Sequence, residues 1–207
     1  MRIVDLSNKP NMLYSMVNPR ITTRKEGLNM NSNIKKIVMT ALFAALACVA
    51  TMVIKIPTPG TNGYIHVGDG IVILSGIILG PVWGFLAAGI GSAMADLIGG
   101  YFIYVPITFV IKGAVAYASG TLYKKLGKTE KSRYAAVILG GISDIVLVVG
   151  GYFLCETMLY GAAAAAASAP ANAVQGIGGL VIGCVLYPVL LKVPDVRRMA
   201  NEAKAHL

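Results

Sequence analysis

Six stretches of apolar residues constrain the fold of this chain more than any other feature of its sequence. They cover residues 34–54, 67–82, 84–100, 105–123, 134–155 and 172–191. Because a bilayer core about 30 Å thick requires about 20 apolar residues per helix, each stretch is a candidate membrane span. Only 13% of the 207 residues are charged, whereas about a quarter are charged in soluble domains. The sequence predicts an all-α membrane protein that forms one six-transmembrane-helix bundle.

The second and third stretches are short, and only the segment Gly80–Gly84 separates them. An alternative interpretation is that they form one bent hairpin or a partly re-entrant segment.

Two connections between the predicted spans also carry structural information. The proline and glycine residues between Lys55 and Tyr64 exclude regular helix and favour turns, so this connection is a candidate lid. The run from Ala162 to Ala167 is interpreted as an extension of the fifth helix.

Lysine and arginine are concentrated in three segments of the chain. Seven lie before the first span or within its first three residues, five lie between the fourth and fifth spans, and four follow the sixth. Six spans place all three segments on one side, and the positive-inside rule assigns that side to the cytoplasm. Five spans would break this agreement. We therefore expect both termini in the cytoplasm of a prokaryotic-type cell, in a multi-pass plasma-membrane protein.

The charge pattern also divides the chain into three regions. Residues 1–33 are predicted to form a basic, flexible cytoplasmic tail, residues 34–191 the membrane domain, and residues 192–207 a second basic tail. The first 30 residues lack an apolar core and are not expected to be a cleavable signal peptide. Met1 and Met30 are both candidate start residues.

Ionisable and amide side chains cost free energy when they are buried in a membrane. In the predicted spans they lie at the membrane midplane or in the outer half. Asp69 and Asp96 lie near outer helix ends, Lys112 lies in the outer half of its span, and Asp144 lies near the middle. Three further polar residues follow at the outer ends of the last two spans: Glu156, Asn172 and Gln175. This distribution favours a binding cavity that opens to the outside. The alternative is that the aspartates cap helices and that Lys112 pairs with Asp96 or Asp144 to neutralise buried charge.

Aromatic residues are also concentrated toward the predicted outer side. They are either an interfacial belt or the walls of a site for a planar, polar-edged ring. The residues are Tyr64, Tyr101, Phe102, Tyr104, Phe109, Tyr152, Phe153 and Tyr160.

Small residues in the first span leave a smooth surface for helix packing. They are Ala41, Ala44, Ala45, Ala47 and Cys48. Such a surface either docks another membrane protein or packs inside the bundle.

The sequence lacks the common signatures of hydrolases and metal sites. Leu122 stands where a Walker motif ending in Gly127-Lys128-Thr129 would need glycine. His66 and His206 are predicted on opposite sides of the membrane, and His66 is expected to contact its own loop. We predict no cofactor, no metal and no catalytic residue. The three cysteines are interpreted as small buried hydrophobic residues.

Four motifs in order resemble the substrate-binding S components of energy-coupling-factor (ECF) vitamin transporters. They are Tyr64-Ile65-His66-Val67-Gly68-Asp69-Gly70, Leu79-Gly80-Pro81-Val82-Trp83-Gly84, Gly91-Ser92-Ala93-Met94-Ala95-Asp96-Leu97 and Thr108-Phe109-Val110-Ile111-Lys112-Gly113. The resemblance implies a six-helix bundle that takes a vitamin from outside and delivers it with a scaffold subunit and two cytoplasmic ATPases. Ala41 and Ala45 match the alanine motif that docks the family's first helix on the scaffold.

The resemblance also implies a set of binding residues. The expected substrate-binding residues are Tyr64, Lys112, Asp144, Asn172 and Gln175. His66, Asp69 and Asp96 match motif positions and are expected to be structural.

The segment from Pro170 to Gln175 looks most like S components for pyridoxine or hydroxymethylpyrimidine, with riboflavin next. Two functions outside transport remain as alternatives. One is a membrane scaffold or assembly protein, and the less favoured one is an intramembrane enzyme.

Overall fold

The computed structural model describes residues 32–58 and 60–205. The elements are α1 (Ser32–Val53), β1 (Lys55–Pro57), β2 (Tyr64–His66), α2 (Asp69–Leu79), α3 (Pro81–Gly99), α4 (Tyr104–Leu126), α5 (Glu130–Tyr160), α6 (Ala162–Leu190) and α7 (Pro194–Ala205). Residues 36–207 form the larger compact unit. Of the separate unit 1–35, only the first residues of α1 are described, so the predicted tail 1–33 falls almost wholly outside the described residues.

Five helices of the described chain are long and apolar enough to cross a membrane: α1, α3, α4, α5 and α6. The predicted second span, 67–82, is instead the 11-residue helix α2, which is only about 16 Å long at 1.5 Å per residue. It ends because Gly80 has a φ of 84°, and Pro81 begins the next helix. Ten of its residues are buried, so other parts of the protein, rather than lipid, surround this short helix.

The bundle has two chemically different ends. At one end β1 and β2 form an antiparallel hairpin in which Lys55 faces His66 and Pro57 faces Tyr64. We call the region around residues 55–66 the hairpin end. At the other end Leu79, Lys124 and Met199 line one cleft, which brings the end of α2 beside α4 and α7. We call the region of residues 124–134 and 190–205 the basic end.

Helix α2 forms the centre of the bundle, because it contacts α3, α4, α5, α6 and α7. Its contact with α3 and α4 depends on three glycines. A Cβ on Gly84 would lie 2.5 Å from Gly76 Cα, and one on Gly120 would lie 2.5 Å from Gly76 O. Gly76, Gly84 and Gly120 therefore allow the backbones of the three helices to approach closely, whereas Gly80 serves as a helix break.

The alanine surface of α1 is divided between two environments. Ala44 and Ala47 face Gly91 of α3, where a Cβ would collide with the Ala44 carbonyl and lie 2.9 Å from Ala47 Cβ. Ala41 and Ala45 are exposed on the described structure. Part of the predicted docking surface is thus used for internal packing, and part remains open.

The last two helices differ from the predicted boundaries. Gly161, with a φ of 89°, ends α5, so the Ala162–Ala167 run begins α6 rather than extending the fifth helix. Pro170 lies inside α6. Membrane helices tolerate proline because neighbouring groups form hydrogen bonds with the backbone atoms that proline leaves unpaired.

The segment predicted as a C-terminal tail contains helix α7. This helix buries Val196, Met199 and Ala200. Its Ala203 lies opposite Gly80, where a Cβ added to that glycine would be 3.4 Å from Ala203 Cβ. Apolar residues on one side of α7 therefore cover the end of the short helix α2.

Candidate functional site

A buried ion pair lies between α2 and α4. Lys112 Nζ is 2.6 Å from Asp69 Oδ1, and both side chains are fully buried. Gln175 of α6 donates from Nε2 to Asp69 Oδ2 at 2.8 Å. The alternative interpretation, in which Lys112 pairs with Asp96 or Asp144, named the wrong partner, because the central helix α2 brings Asp69 to the lysine instead. Three helices are connected through the Asp69 carboxylate.

The same amide connects this ion pair to the hairpin. Gln175 Oε1 accepts a hydrogen bond from the His66 backbone N–H at 3.0 Å. The His66 ring accepts at Nδ1 from Gly68 N–H, also at 3.0 Å, so the expected contact of His66 with its own loop is confirmed. Burial lowers the pKa of His66 to about 4, because desolvation disfavours the imidazolium. The ring is therefore neutral at physiological pH.

Asp144 lies beside this network without a hydrogen bond of its own. It is fully buried, and neither carboxylate oxygen has a partner among the described residues. A Cβ on Gly179 would lie 2.9 Å from Asp144 Oδ2 and 2.5 Å from Asp69 Cβ. Glycine at this position of α6 therefore makes room for two acidic side chains.

A small cavity lies beneath the hairpin. Its volume is about 20 Å³, which is enough for a single water molecule. The lining residues come from the hairpin region, α3, α4, α5 and α6: Thr58, Gly63, Tyr64, His66, Asp96, Tyr104, Thr108, Tyr152, Glu156 and Asn172. Five parts of the fold thus meet at one polar, aromatic cavity.

Hydrogen bonds join neighbouring side chains around this cavity. Tyr64 Oη donates to Asp96 Oδ1 at 2.7 Å, which connects the hairpin to α3. Tyr104 Oη donates to Glu156 Oε1 at 3.1 Å, and the Thr108 and Tyr152 hydroxyls are 2.9 Å apart. Ser168 Oγ bonds the other oxygen of Glu156. Burial, and then the bond to Asp96, raises the pKa of Tyr64, so its phenol remains a hydrogen-bond donor.

Two polar atoms of the cavity residues have no partner within the described part of the chain. They are Asp96 Oδ2 and Asn172 Nδ2, and both are buried. Leaving a buried polar group unpaired costs about 1–3 kcal/mol. One acceptor and one donor are therefore available to a polar ligand that enters the cavity.

A cation and two aromatic rings contact one another at the hairpin end: Lys55 and Tyr64 belong to the hairpin, and Tyr101 lies between α3 and α4. Lys55 Nζ lies 4.5 Å from the centroid of the Tyr64 ring and 5.2 Å from that of Tyr101. The two ring centroids are 4.5 Å apart. Tyr64 therefore contacts Lys55 and Tyr101 through its ring and Asp96 through its hydroxyl, which fixes its position at the cavity.

The structure separates the predicted binding residues into two groups. Tyr64 and Asn172 line the cavity. Lys112, Asp144 and Gln175 lie behind it, with Lys112 Nζ 5.6 Å from the centroid of the Tyr152 ring. His66 and Asp96, which were expected to be structural, line the cavity, while Asp69 belongs to the buried network.

Several cavity residues were not among the predicted binding residues. They are Thr58, Tyr104, Thr108, Tyr152 and Glu156. Sequence signals existed for most of them: the two tyrosines belong to the outer aromatic set, Glu156 to the outer polar set and Thr108 to a family motif. Their convergence depends on the rotations of α4 and α5, which apolar runs do not specify.

Comparisons with known proteins identify relatives over most of the chain. The family model for the ECF-type riboflavin transporter, S component, matches residues 31–192. An uncharacterized protein of Pyrococcus woesei is 36% identical over 144 residues, which are 70% of this chain and 93% of that protein. The thiamine precursor transporter HmpT of Lactococcus lactis subsp. cremoris is 30% identical over 162 residues, 77% of this chain and 90% of HmpT.

A solved structure described as the S component of a bacterial ECF transporter has the same fold. Its TM-score is 0.58 at 24% sequence identity, and the match covers 84% of this chain and 99% of that one.

Proposed function

Because the chain belongs to the S components of ECF-type transporters, we propose that it captures a small heteroaromatic vitamin precursor at its hairpin end, with hydroxymethylpyrimidine as the favoured substrate. S components are membrane-embedded, substrate-binding subunits that take up vitamins together with an ECF module, and they are not enzymes. The sequence resemblance to this family is thereby confirmed.

The proposed class of substrate is supported mainly by the cavity beneath the hairpin. Asn172 Nδ2 and Asp96 Oδ2 offer an unpaired donor and an unpaired acceptor. A pyrimidine with an exocyclic amine and a hydroxymethyl group presents ring nitrogens to the amide and N–H or O–H donors to the carboxylate. Tyr64, Tyr104 and Tyr152 border the cavity and supply aromatic surface for one ring. We propose that Tyr64 and Asn172 contact the substrate directly.

The size of the cavity favours a single ring. Ligand cavities commonly measure about 300–1,000 Å³, whereas this one holds about 20 Å³. Binding therefore requires the hairpin to move away from α3–α6. A single six-membered ring needs a smaller opening than the three fused rings of riboflavin, and the relationship to a thiamine precursor transporter favours hydroxymethylpyrimidine over pyridoxine. Riboflavin stays a second candidate because the matching family model describes a riboflavin transporter component.

Thermal unfolding of the purified protein in detergent tests this proposal. A ligand that binds only the folded state raises the melting temperature, so hydroxymethylpyrimidine should stabilise the protein more than pyridoxine, riboflavin or thiamine at equal concentration. Asn172→Ala should weaken the effect, whereas Asn201→Ala at the basic end should preserve it. If no vitamin stabilises the folded protein, the scaffold or assembly alternative replaces capture.

We also propose how the bundle is oriented and which surface meets the transport module. The basic end faces the cytoplasm, six passes cross the plasma membrane with α2 as a short, protein-covered pass, and both termini are cytoplasmic. The exposed Ala41 and Ala45 of α1 contact a transmembrane scaffold subunit that works with two cytoplasmic ATPases. Small side chains there allow close helix approach in lipid.

A bulky substitution separates docking from capture. Ala41→Trp should leave vitamin binding unchanged and abolish uptake by the complete transporter, because the indole blocks helix contact. Val146→Trp is the matched control, since Val146 is 64% exposed on α5 and lies away from the alanine surface. Normal uptake by Ala41→Trp would remove the docking assignment.

A further inference from the structure

The basic end contains a second, larger cavity that vitamin capture does not use. It has a volume of about 600 Å³ and lies where the end of α4, the start of α5, the end of α6 and helix α7 meet. Three cations, Arg133, Lys192 and Arg197, line it together with one carboxylate, Glu130. The charged residues of the lining therefore have a net charge of +2, which favours the binding of an anion.

Arg133 is the residue that points most directly to a ligand. Its Nε is buried and has no hydrogen-bond partner among the described residues. An arginine N–H that is withdrawn from water without an acceptor costs free energy, and a bound oxyanion would remove that cost. Because a guanidinium presents a planar fork of donors, it matches a phosphate group particularly well.

A neighbouring backbone carbonyl holds Arg197, and two further side chains add hydrogen-bonding capacity to the cavity. Arg197 Nε donates to the Leu191 carbonyl at 2.9 Å, which fixes this side chain at the junction of α6 and α7. Its terminal nitrogens make no hydrogen bond to another described residue and can therefore donate to a ligand. Tyr134 and Asn201 also line the cavity, and both can bond to phosphate oxygens.

We propose that this cavity binds a phosphate-bearing anion through Arg133, Arg197 and Lys192. Two sources share this chemistry, the headgroup of an anionic phospholipid and a soluble phosphate compound. Basic pockets between membrane helices on the cytoplasmic side are known sites for anionic headgroups. The proposal is independent of the vitamin, because no residue of this cavity lines the one beneath the hairpin.

Two assays of the full-length protein, native mass spectrometry with lipids and thermal unfolding with soluble anions, distinguish the two sources. One arm adds phosphatidylglycerol or, as a neutral reference, phosphatidylethanolamine with the same acyl chains. The other arm measures thermal stabilisation by inorganic phosphate or pyrophosphate at constant ionic strength. Retention of phosphatidylglycerol over phosphatidylethanolamine assigns a lipid headgroup, and stabilisation by the soluble anions assigns a soluble phosphate compound. Binding in either arm supports the proposal when it depends on Arg133, and binding in neither arm overturns it.

Three variants decide whether binding belongs to the cavity. Arg133→Gln should weaken phosphate or lipid binding by about tenfold, since it removes a charged hydrogen-bond donor. Lys131→Gln removes the same charge from an exposed residue that does not line the cavity, and should change binding less than about twofold. Glu130→Gln should strengthen binding, because it removes the only carboxylate among the lining residues. Equal losses in Arg133→Gln and Lys131→Gln, or weaker binding by Glu130→Gln, would refute the site.

Discussion

The two ends of the bundle both contain polar groups, but they organise them in opposite ways. At the hairpin end most of the charged side chains are buried, as in the Lys112–Asp69 pair with both side chains fully buried, and the cavity there measures only about 20 Å³. At the basic end the cavity measures about 600 Å³, and the Arg198–Glu202 pair is 70% and 37% exposed. The comparison indicates that buried polar groups at the hairpin end join the helices of the bundle, whereas the Arg198–Glu202 pair at the basic end lies on a solvated surface.

The largest expected difference concerns the two ion pairs. Lys112→Met should lower the free energy of unfolding by about 3–5 kcal/mol, because it leaves the Asp69 carboxylate buried without its cation. Arg198→Met should change it by less than about 1 kcal/mol, since exposed pairs contribute little. Unfolding in detergent by increasing SDS measures both. The double variant Lys112→Met with Asp69→Asn should recover much of the lost stability. Equal losses of stability in Lys112→Met and Arg198→Met would show that the two ends do not differ in this way.

The second expected effect is a pH dependence that arises from His66. Its pKa is about 4 in the folded protein, compared with 6.5 for the free side chain. Between these values the unfolded chain binds a proton that the folded protein does not bind. Stability should therefore fall as the pH decreases from about 6.5 to about 4, by at most about 3 kcal/mol.

The titrations of other groups can be separated from that of His66. Asp69 favours protonation of the ring, while Lys112 and Lys55 oppose it. Melting temperatures measured from pH 7 to pH 4 should decrease less steeply for His66→Gln than for the unmodified protein. Parallel curves for the two proteins would show that His66 does not cause the dependence.

A third, smaller effect concerns the connection between the hairpin and the core. Gln175→Leu removes the acceptor of the His66 N–H and the donor to Asp69. We expect the loss of about 1–3 kcal/mol of stability and faster hydrogen exchange of the His66 amide. Exchange at the basic end, for example at residues 126–134, should be unchanged. An unaltered exchange rate at His66 would show that Gln175 does not hold the hairpin.

The smallest expected effect is the change in vitamin affinity when one hydroxyl group is removed at either end. Tyr104→Phe removes the donor to Glu156 beside the small cavity and should weaken vitamin binding about fivefold, equivalent to about 1 kcal/mol. Tyr187→Phe removes the hydroxyl that lies 2.8 Å from that of Tyr123 and should preserve vitamin affinity. Isothermal titration calorimetry with the best vitamin measures both constants, and a larger effect for Tyr187→Phe would contradict the assignment of the ends.

The sequence predicted the class of fold well because apolar length and charge position are properties of the chain itself. Five of the six predicted spans correspond to helices long enough to cross a membrane. It did not predict that the span 67–82 contains a helix of only 11 residues, since neither the positive φ of Gly80 nor the cover supplied by α7 is visible in a hydropathy pattern. The same holds for Gly161, whose positive φ moves the alanine run into α6.

The site was less predictable than the fold. Polar residues at the outer ends of helices were recognised individually, yet the partner of Lys112 depended on the depth and position of α2. The cavity residues Thr108, Tyr152 and Glu156 could not be grouped from sequence, because the rotation of each helix decides which side chain faces inward.

Hydrogen–deuterium exchange with and without hydroxymethylpyrimidine tests most directly whether the hairpin end captures the substrate. We expect the ligand to slow exchange in residues 55–66 and at the start of α6, where the closed hairpin and Asn172 contact it, with no change at residues 124–134. Protection confined to the basic end, or protection nowhere at a saturating ligand concentration, would contradict capture at the hairpin end.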